Sequence, residues 1–235
     1  MEPFGKAHVF VVDLDALELA DGDHHHLAKV LRLRPGDPLT ASDGAGRWRR
    51  CRFGAPLEPD GAIERDAVPQ PEITIAFALV KGERPEWVVQ KLTEVGVDRI
   101  VPFVAERSVV RWEPEKSARH LERWQIVARE AAMQSRRSFL PVVEEVADFA
   151  RLARRPGAAL AERGGEAPSL RRAVLLVGPE GGWSDAERAA AEATVALGAN
   201  VLRAETAALV AGAALCGLRS ALFESPQVTE GDCPG

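Results

Sequence analysis

Ala173 to Gly182, Ala-Val-Leu-Leu-Val-Gly-Pro-Glu-Gly-Gly, restricts the possible folds more than any other stretch of the chain. Val174 to Val177 form an uninterrupted apolar run, the pattern of a strand buried on both faces. Gly178-Pro179 stops it. Ser184, with Glu187 three residues later, is a capping box, so a helix begins there. Ala186, Ala190, Ala193 and Leu197 fall on one face of that helix. The unit is strand, glycine-rich turn, helix. Such a turn brings backbone N–H groups to the C-terminal edge of a sheet, where open α/β folds bind ligands. On this motif alone, a ligand-free βα turn remains open. A phosphate cradle is disfavoured, because no Gly-x-x-x-x-Gly-Lys-Ser/Thr is present and Glu180 puts a negative charge in the turn.

The 235 residues suffice for one large domain or two modest ones, and 46% hydrophobic content supports a real core. Net charge is −5, yet residues 29–52 carry seven basic side chains (Lys29, Arg32, Arg34, Arg47, Arg49, Arg50, Arg52) against Asp37 and Asp43. That local excess is the best candidate for a polyanion surface. A solvated basic face is the plain alternative for any one of these residues. Cys51, Cys216 and Cys233 are widely spaced and odd in number, which fits neither a metal site nor a disulfide framework. The longest uncharged apolar stretch, Ala207 to Leu218, is shorter than the ~20 residues a membrane span needs. Asp13 and Asp15 interrupt the apolar N-terminal run, so no signal peptide is expected. A cytoplasmic protein with no membrane partner and no metal is the expectation.

The first seventy residues read as short strands at 8–12, 39–41, 47–53 and 62–66 with one helix at 23–33, which Asp23 can cap. Short strands separated by turn sequences suggest a small barrel. Pro69-Gln70-Pro71 is the candidate linker. Beyond it, strands alternate with helices: strands at 73–80, 99–104, 158–161, 174–177 and 200–203, helices at 85–96, 114–137 and 207–223. That alternation predicts a largely parallel α/β sheet. Pro102 suggests that its strand lies at an edge or ends there. Leu121, Trp124, Ile126, Val127 and Ala131 supply the apolar stripe of the long helix.

Polar residues gather where strands meet helices. Arg203, Glu205 and Thr206 precede a helix of small residues; Thr206 is a candidate N-cap, and Arg203 and Glu205 can equally pair at the surface. Glu106-Arg107-Ser108 and Gln134-Ser135-Arg136-Arg137 are two further clusters, and the latter arginines also complement a helix dipole. Taken in order, these segments resemble one family, the bacterial 16S ribosomal RNA uracil-N3 methyltransferases of the SPOUT (trefoil-knotted) superfamily. The matching pieces are His26-Leu27 through Val30-Leu31-Arg32, Lys81-Gly82, Gln90-Lys91-x-x-Glu94-x-Gly96-Val97, Glu106-Arg107-Ser108, Gln134-Ser135-x-Arg137, Gly178-Pro179-Glu180-Gly181-Gly182 and Leu202-Arg203-x-Glu205-Thr206-Ala207, spanning residues 8–223. Ala204 departs from the family pattern, which usually has threonine there.

The resemblance implies a PUA-like, RNA-binding β-barrel over residues 1–70, a SPOUT α/β-knot methyltransferase domain over 71–225, and a disordered tail over 226–235. It implies S-adenosylmethionine as cofactor, held by Leu176, Gly178, Pro179, Glu180, Gly181, Leu197, Gly198, Leu202, Thr206 and Ala207. It implies methylation of uridine N3 in 16S ribosomal RNA of the small subunit, with Arg203 and Glu205 as candidate catalytic groups. His26, Arg32, Arg34, Lys81, Arg107, Arg136 and Arg137 are the candidate RNA contacts. A homodimer is the usual assembly of the superfamily. The small residues Ala207, Ala208, Ala211, Gly212, Ala214 and Gly217 of the last helix suit either a dimer contact or close packing on the chain's own sheet. A non-catalytic RNA-binding assembly factor with a vestigial pocket is the alternative. The exact nucleotide, the proton acceptor, the form of the substrate (naked RNA or assembled subunit) and the effect of Ala204 lie beyond the sequence.

Overall fold

The computed structural model describes residues 5–80, 82, 84–110 and 112–223. Lys81 and the 226–235 tail, both of which carry expectations, lie outside the described residues.

The N-terminal part is a five-stranded sheet. Its strands are β1 (His8–Phe10), β2 (Pro38–Ser42), β3 (Arg47–Arg52), β4 (Glu58–Pro59) and β5 (Glu64–Arg65), with α1 (Asp21–His25) between β1 and β2. The helix expected at 23–33 begins and ends earlier: α1 runs on as a π-helical turn, His26–Val30. Asp23 is not its cap. The Asp23 carboxylate instead takes both Arg129 guanidinium nitrogens, at 2.9 and 2.6 Å. Val9, Leu17, Leu27, Leu39, Ala41 and Cys51 form a separate apolar core. In β2 the alternate residues Thr40 and Ser42 are buried too. Thr40 meets His8 of β1, and Ser42 donates to the Ser138 carbonyl in the larger part of the chain.

The larger part is a seven-stranded sheet in which every pair is parallel. In chain order its elements are β6 (Thr74–Ala78), α2 (Arg84–Glu94), β7 (Arg99–Val104), α3 (Pro114–Gln134), β8 (Val142–Val143), β9 (Ala147–Asp148), α4 (Phe149–Ala153), β10 (Ala158–Glu166), β11 (Val174–Val177), α5 (Asp185–Ala190), β12 (Thr194–Val195) and α6 (Ala204–Arg219). Strand order is β12-β10-β11-β6-β7-β8, with β9 also on β7. The central strands β6 and β11 are buried throughout, as continuous apolar runs should be in a sheet covered on both faces. Their alternation splits the core. Ile75, Phe77, Leu175 and Val177 pack with α2, α3 and α6 residues such as Leu92, Trp124 and Leu215. Ala76, Ala78 and Leu176 point the other way, against Phe103, Leu152 and Trp183.

Pro102 lies in the strand next to the edge, at the gap between the two short edge strands. β8 pairs with Arg99 and Ile100, and β9 with Phe103 and Val104. The missing proline N–H therefore falls where the outer ladder is interrupted.

Several expected boundaries move. β10 extends to Glu166, well beyond Ala161. α5 stops at Ala190, so Ala193 and Leu197 are not on it. No strand forms at 200–203; the edge position beside β10 belongs to Thr194–Val195. α6 starts at Ala204, with Arg203 as N-cap, so Thr206 is inside the helix rather than capping it. Ile126 is 49% exposed while Trp124, Ala128 and Ala131 are buried, which puts the stripe of α3 on the 124/128/131 face. Two arginines at the end of α3 join the two sheets. Arg129 also donates to the Phe10 carbonyl at 3.1 Å, and Arg136 to the Gly5 carbonyl at 2.7 Å.

Candidate active site

β11 delivers the chain into Gly178 at the C-terminal edge of the sheet. The turn closes with the Gly182 N–H on the Pro179 carbonyl at 2.9 Å. Gly182 has φ +68°, which glycine adopts freely. Gly178 is glycine for a different reason: a Cβ there would sit 2.9 Å from the Trp183 indole. Trp183 is 3% exposed, stacks on Phe103 at 6.0 Å, and donates its Nε1–H to the Ala161 carbonyl at 3.1 Å. The turn thus folds onto an aromatic plate anchored to two strands.

The expected capping box is present. Ser184 Oγ accepts from the Glu187 N–H at 3.1 Å, and Glu187 Oε2 accepts from the Ser184 N–H at 2.8 Å. Glu187 Oε1 takes the Glu106 N–H at 2.9 Å, so one buried carboxylate also fixes the loop after β7. Arg107, next in that loop, donates to the Gly181 carbonyl at 3.2 Å.

A cleft of about 240 Å³ opens between this turn, the end of β10, residues 197–202 and the first turn of α6. Gly178, Pro179, Glu180, Leu197, Gly198, Leu202 and Ala207, all expected at the site, line it. Leu176, Gly181 and Thr206 are not among its lining residues. Leu176 faces the opposite core, beneath Trp183, and Gly181 turns to Arg107. The cleft also takes Ala161, Glu162, Arg163, Trp183, Asn200 and Val201, which sequence reasoning missed. Glu162 and Arg163 follow from the true length of β10. Trp183 had a signal, since it directly follows the glycine turn. Much of the lining is apolar or glycine, and its charged side chains among the described residues are Glu162, Glu180, Arg163 and Arg188.

Three charged segments meet beside the turn. Arg84 Nη1, at the start of α2, lies 2.9 Å from Glu180 Oε1 and 3.6 Å from Glu205 Oε2. Glu205 Oε2 is buried and accepts no hydrogen bond among the described residues. Arg203 is exposed at the N-cap of α6. Neither Arg203 nor Glu205 lines the cleft itself; Glu205 adjoins it through Arg84 and Glu180.

The candidate RNA contacts separate into two groups. His26, Arg32, Arg34 and Arg107 are exposed, and Arg136 is half-buried. Arg137 is internal. It donates to the carbonyls of Thr93 and Val97 at 2.9 and 2.8 Å and faces Asp98 at 3.7 Å. Burial lowers its pKa, an effect that Asp98 opposes. In the basic stretch, Arg49 is engaged by the Gly61 and Leu14 carbonyls, and Arg52 by Asp60 at 3.0 Å.

The signature of an RNA methyltransferase domain matches residues 68–216, and that of an RNA methyltransferase PUA domain matches residues 19–59. The chain belongs to this RNA methyltransferase family. Among curated relatives, ribosomal RNA small subunit methyltransferase E of Mycobacterium tuberculosis is 37% identical, over 85% of this chain and 86% of its own. The Bacillus subtilis protein of the same name is 31% identical, over 81% and 86%. Among solved structures, a methyltransferase of Legionella pneumophila with bound S-adenosylmethionine superposes with TM-score 0.76 at 26% identity, over 88% of this chain and 96% of that one. Ribosomal RNA small subunit methyltransferase E of Neisseria gonorrhoeae, also bound to S-adenosylmethionine, gives 0.74 at 28%, over 90% and 97%. This RNA methyltransferase therefore has the SPOUT α/β fold with an N-terminal PUA-like part, as its sequence implies.

Proposed function

We propose that the chain methylates N3 of a uridine in 16S ribosomal RNA of the small subunit, using S-adenosylmethionine. The observation that carries this reading is the cleft at the C-terminal end of β11, built from the glycine turn and the 197–207 segment, in a chain whose relatives bear the small-subunit methyltransferase name over most of its length. The donor set fits this cofactor. Leu197, Val201, Leu202 and Ala207 offer an apolar slot for a flat base, and Glu162 and Glu180 suit its positive charges. Of the ten residues expected to hold it, the seven lining ones are retained, with Trp183 and Ala161 added. Leu176 packs in the opposite core, Gly181 turns to Arg107, and Thr206 lies in the first turn of α6.

The bound cofactor supplies an electrophilic methyl carbon: the N3–C bond forms as its S–C bond breaks and a neutral thioether leaves. The chain's own task is to orient the uracil, remove the imide proton and stabilise negative charge on the ring oxygens. Glu205 is the proposed proton acceptor, because its buried Oε2 lacks a donor that an imide N–H would supply. A positioned base of this kind contributes about 10²- to 10⁴-fold. Arg203, exposed at the same helix start, is proposed to stabilise the oxygens.

RNA docking is proposed for the N-terminal unit, taken as residues 1–70, with residues 71–225 as the methyltransferase domain. His26, Arg32 and Arg34 lead on the first, and Arg107 and Arg136 continue on the second; Arg137 serves the interior instead. A homodimer in the cytoplasm remains part of the proposal, with less support from α6 than its composition suggests. Ala208 and Ala211 lie in the chain's own core, and the missing Cβ of Gly212 makes room for Leu92 and Val97. Among the described residues no helix is long and apolar enough to cross a membrane, and no group of three potential metal ligands occurs.

The test is methyl transfer from labelled S-adenosylmethionine to small subunits lacking N3-methyluridine, followed by nucleoside analysis. Label in N3-methyluridine is the expected outcome. Label in another nucleoside refutes the N3 assignment, and cofactor binding without transfer favours a non-catalytic assembly factor.

A further inference from the structure

We infer that Arg84 is a positioning residue for the reaction: its guanidinium, shared between Glu180 of the glycine turn and Glu205 of α6, holds the Glu205 carboxylate in place beside the cleft. The inference rests on the proposed role of Glu205 as proton acceptor.

Three chain segments converge here. Arg84 opens α2, directly after the loop that leaves β6; Glu180 belongs to the turn after β11; Glu205 lies in the first turn of α6. One nitrogen, Arg84 Nη1, reaches both carboxylates, at 2.9 Å for Glu180 and 3.6 Å for Glu205. The shorter contact is a hydrogen bond. The longer is a charge contact only, and it leaves Glu205 Oε2 without a hydrogen-bond donor. Glu205 is thus paired in charge but not in hydrogen bonding, as suits a group that must accept a proton.

The arrangement contributes little as a stabilising device. The Arg84 and Glu180 side chains are 39% and 50% exposed, and exposed pairs are worth about 0–1 kcal/mol. Its effect on geometry is another matter, because the Glu205 side chain is only 15% exposed. Arg84 joins that side chain to the turn that lines the cleft, so the placement of the acceptor beside the cleft depends on the guanidinium.

The experiment uses the full chain with Arg84→Met, Arg84→Lys, Glu205→Gln and the Arg84→Met/Glu205→Gln pair. Single-turnover methyl transfer, calorimetric S-adenosylmethionine affinity and the thermal midpoint are read for each. Arg84→Met is expected to slow transfer about tenfold or more, with affinity within about threefold and a midpoint shift of at most a few degrees. Arg84→Lys, which keeps the charge, restores most of the rate. In the Glu205→Gln background, Arg84→Met changes the rate less than about twofold, because the two residues act as a unit. An equal fractional loss in both backgrounds, or a loss in affinity rather than rate, overturns the inference. Glu205→Gln at full rate removes the acceptor reading itself. Glu205→Gln slow with Arg84→Met at full rate overturns the positioning role alone.

Discussion

Gly178→Ala replaces one hydrogen with a methyl group at the point where the glycine turn crosses the Trp183 ring. The new carbon would lie 2.9, 3.1 and 3.2 Å from three indole atoms, where ordinary carbon contacts are about 3.5–4.0 Å. The ring must therefore move by roughly half an ångström or more, and it has little freedom to do so. It is stacked on Phe103 with planes 7° apart, touches Phe149 at 5.7 Å, and is held through Nε1 on the Ala161 carbonyl. Overpacking against a fixed group costs about 1–3 kcal/mol. For a chain of this size that is roughly 2–12 °C in the thermal midpoint.

The same displacement alters the cleft, because Gly178, Trp183 and Ala161 all line it. Calorimetry should show S-adenosylmethionine binding weakened by about tenfold, the equivalent of ~1.4 kcal/mol. The assay that isolates the cause is a double-mutant cycle with Trp183→Leu. If the collision is the mechanism, Gly178→Ala costs less than about 0.5 kcal/mol once the indole is gone. Equal costs in both backgrounds, or an unchanged midpoint with the indole in place, would refute the reasoning.

Asp98→Ala should be among the more damaging single changes. Asp98 takes the Ile73 N–H at 2.8 Å, a short hydrogen bond from Arg219 and the charge of Arg137, whose side chains are 13% exposed. Breaking such a buried cluster costs about 3–5 kcal/mol, measurable by urea unfolding; a loss under about 1 kcal/mol would contradict it. His8 gives a pH dependence. Burial holds its pKa at about 4, with Nδ1 on Thr40 Oγ1 at 2.7 Å. The unfolded chain takes up this proton from about pH 6.5 downward while the folded chain does not until about 4, so stability is complete above 6.5 and falls between 6.5 and 4. The loss amounts to about 3 kcal/mol, and His8→Gln should flatten that part of the profile in chemical denaturation. Arg32→Ala with Arg34→Ala should weaken RNA binding and lower the salt slope by about 1.4–1.8, two phosphate contacts' worth, whereas an unchanged slope would move the docking surface elsewhere.

Local chemistry made part of this legible in the sequence. Ser184 and Glu187 cap their helix as read, because both halves of a capping box lie three residues apart. β6 and β11 are apparent because a strand covered on both faces cannot hide its apolar run. What escaped depended on partners distant in sequence. The expected strand stops at Ala161, yet residues 162–166, Glu-Arg-Gly-Gly-Glu, continue β10, and Glu166 pairs with Val195. Gly165 permits this: a Cβ there would collide with the Thr194 backbone at 2.5 Å. The start of α6 was missed because Arg203 caps it without a side-chain hydrogen bond.

The basic residues make the same point about the site. A count along the chain treats each arginine as one unit of surface charge, but a guanidinium has five donors and serves equally well as an internal bracket. Arg137 and Arg219 hold the Gly96–Asp98 corner to α6 and the turn after α3. Arg129 clamps Asp23 across the two sheets. Arg49 ties the Gly61 and Leu14 carbonyls. Each is basic in sequence and structural in space. Within the stretch from 29 to 52, Arg49 and Arg52 are engaged and Arg47 faces Asp43, so the charge left for a polyanion narrows to the exposed Lys29, Arg32, Arg34 and Arg50. Arg84 shows the converse. It stands out in no pattern among the arginines, yet it contacts both carboxylates that flank the cleft. What decides the role of an arginine is which carbonyls and carboxylates the fold brings beside it, and sequence order does not reveal them.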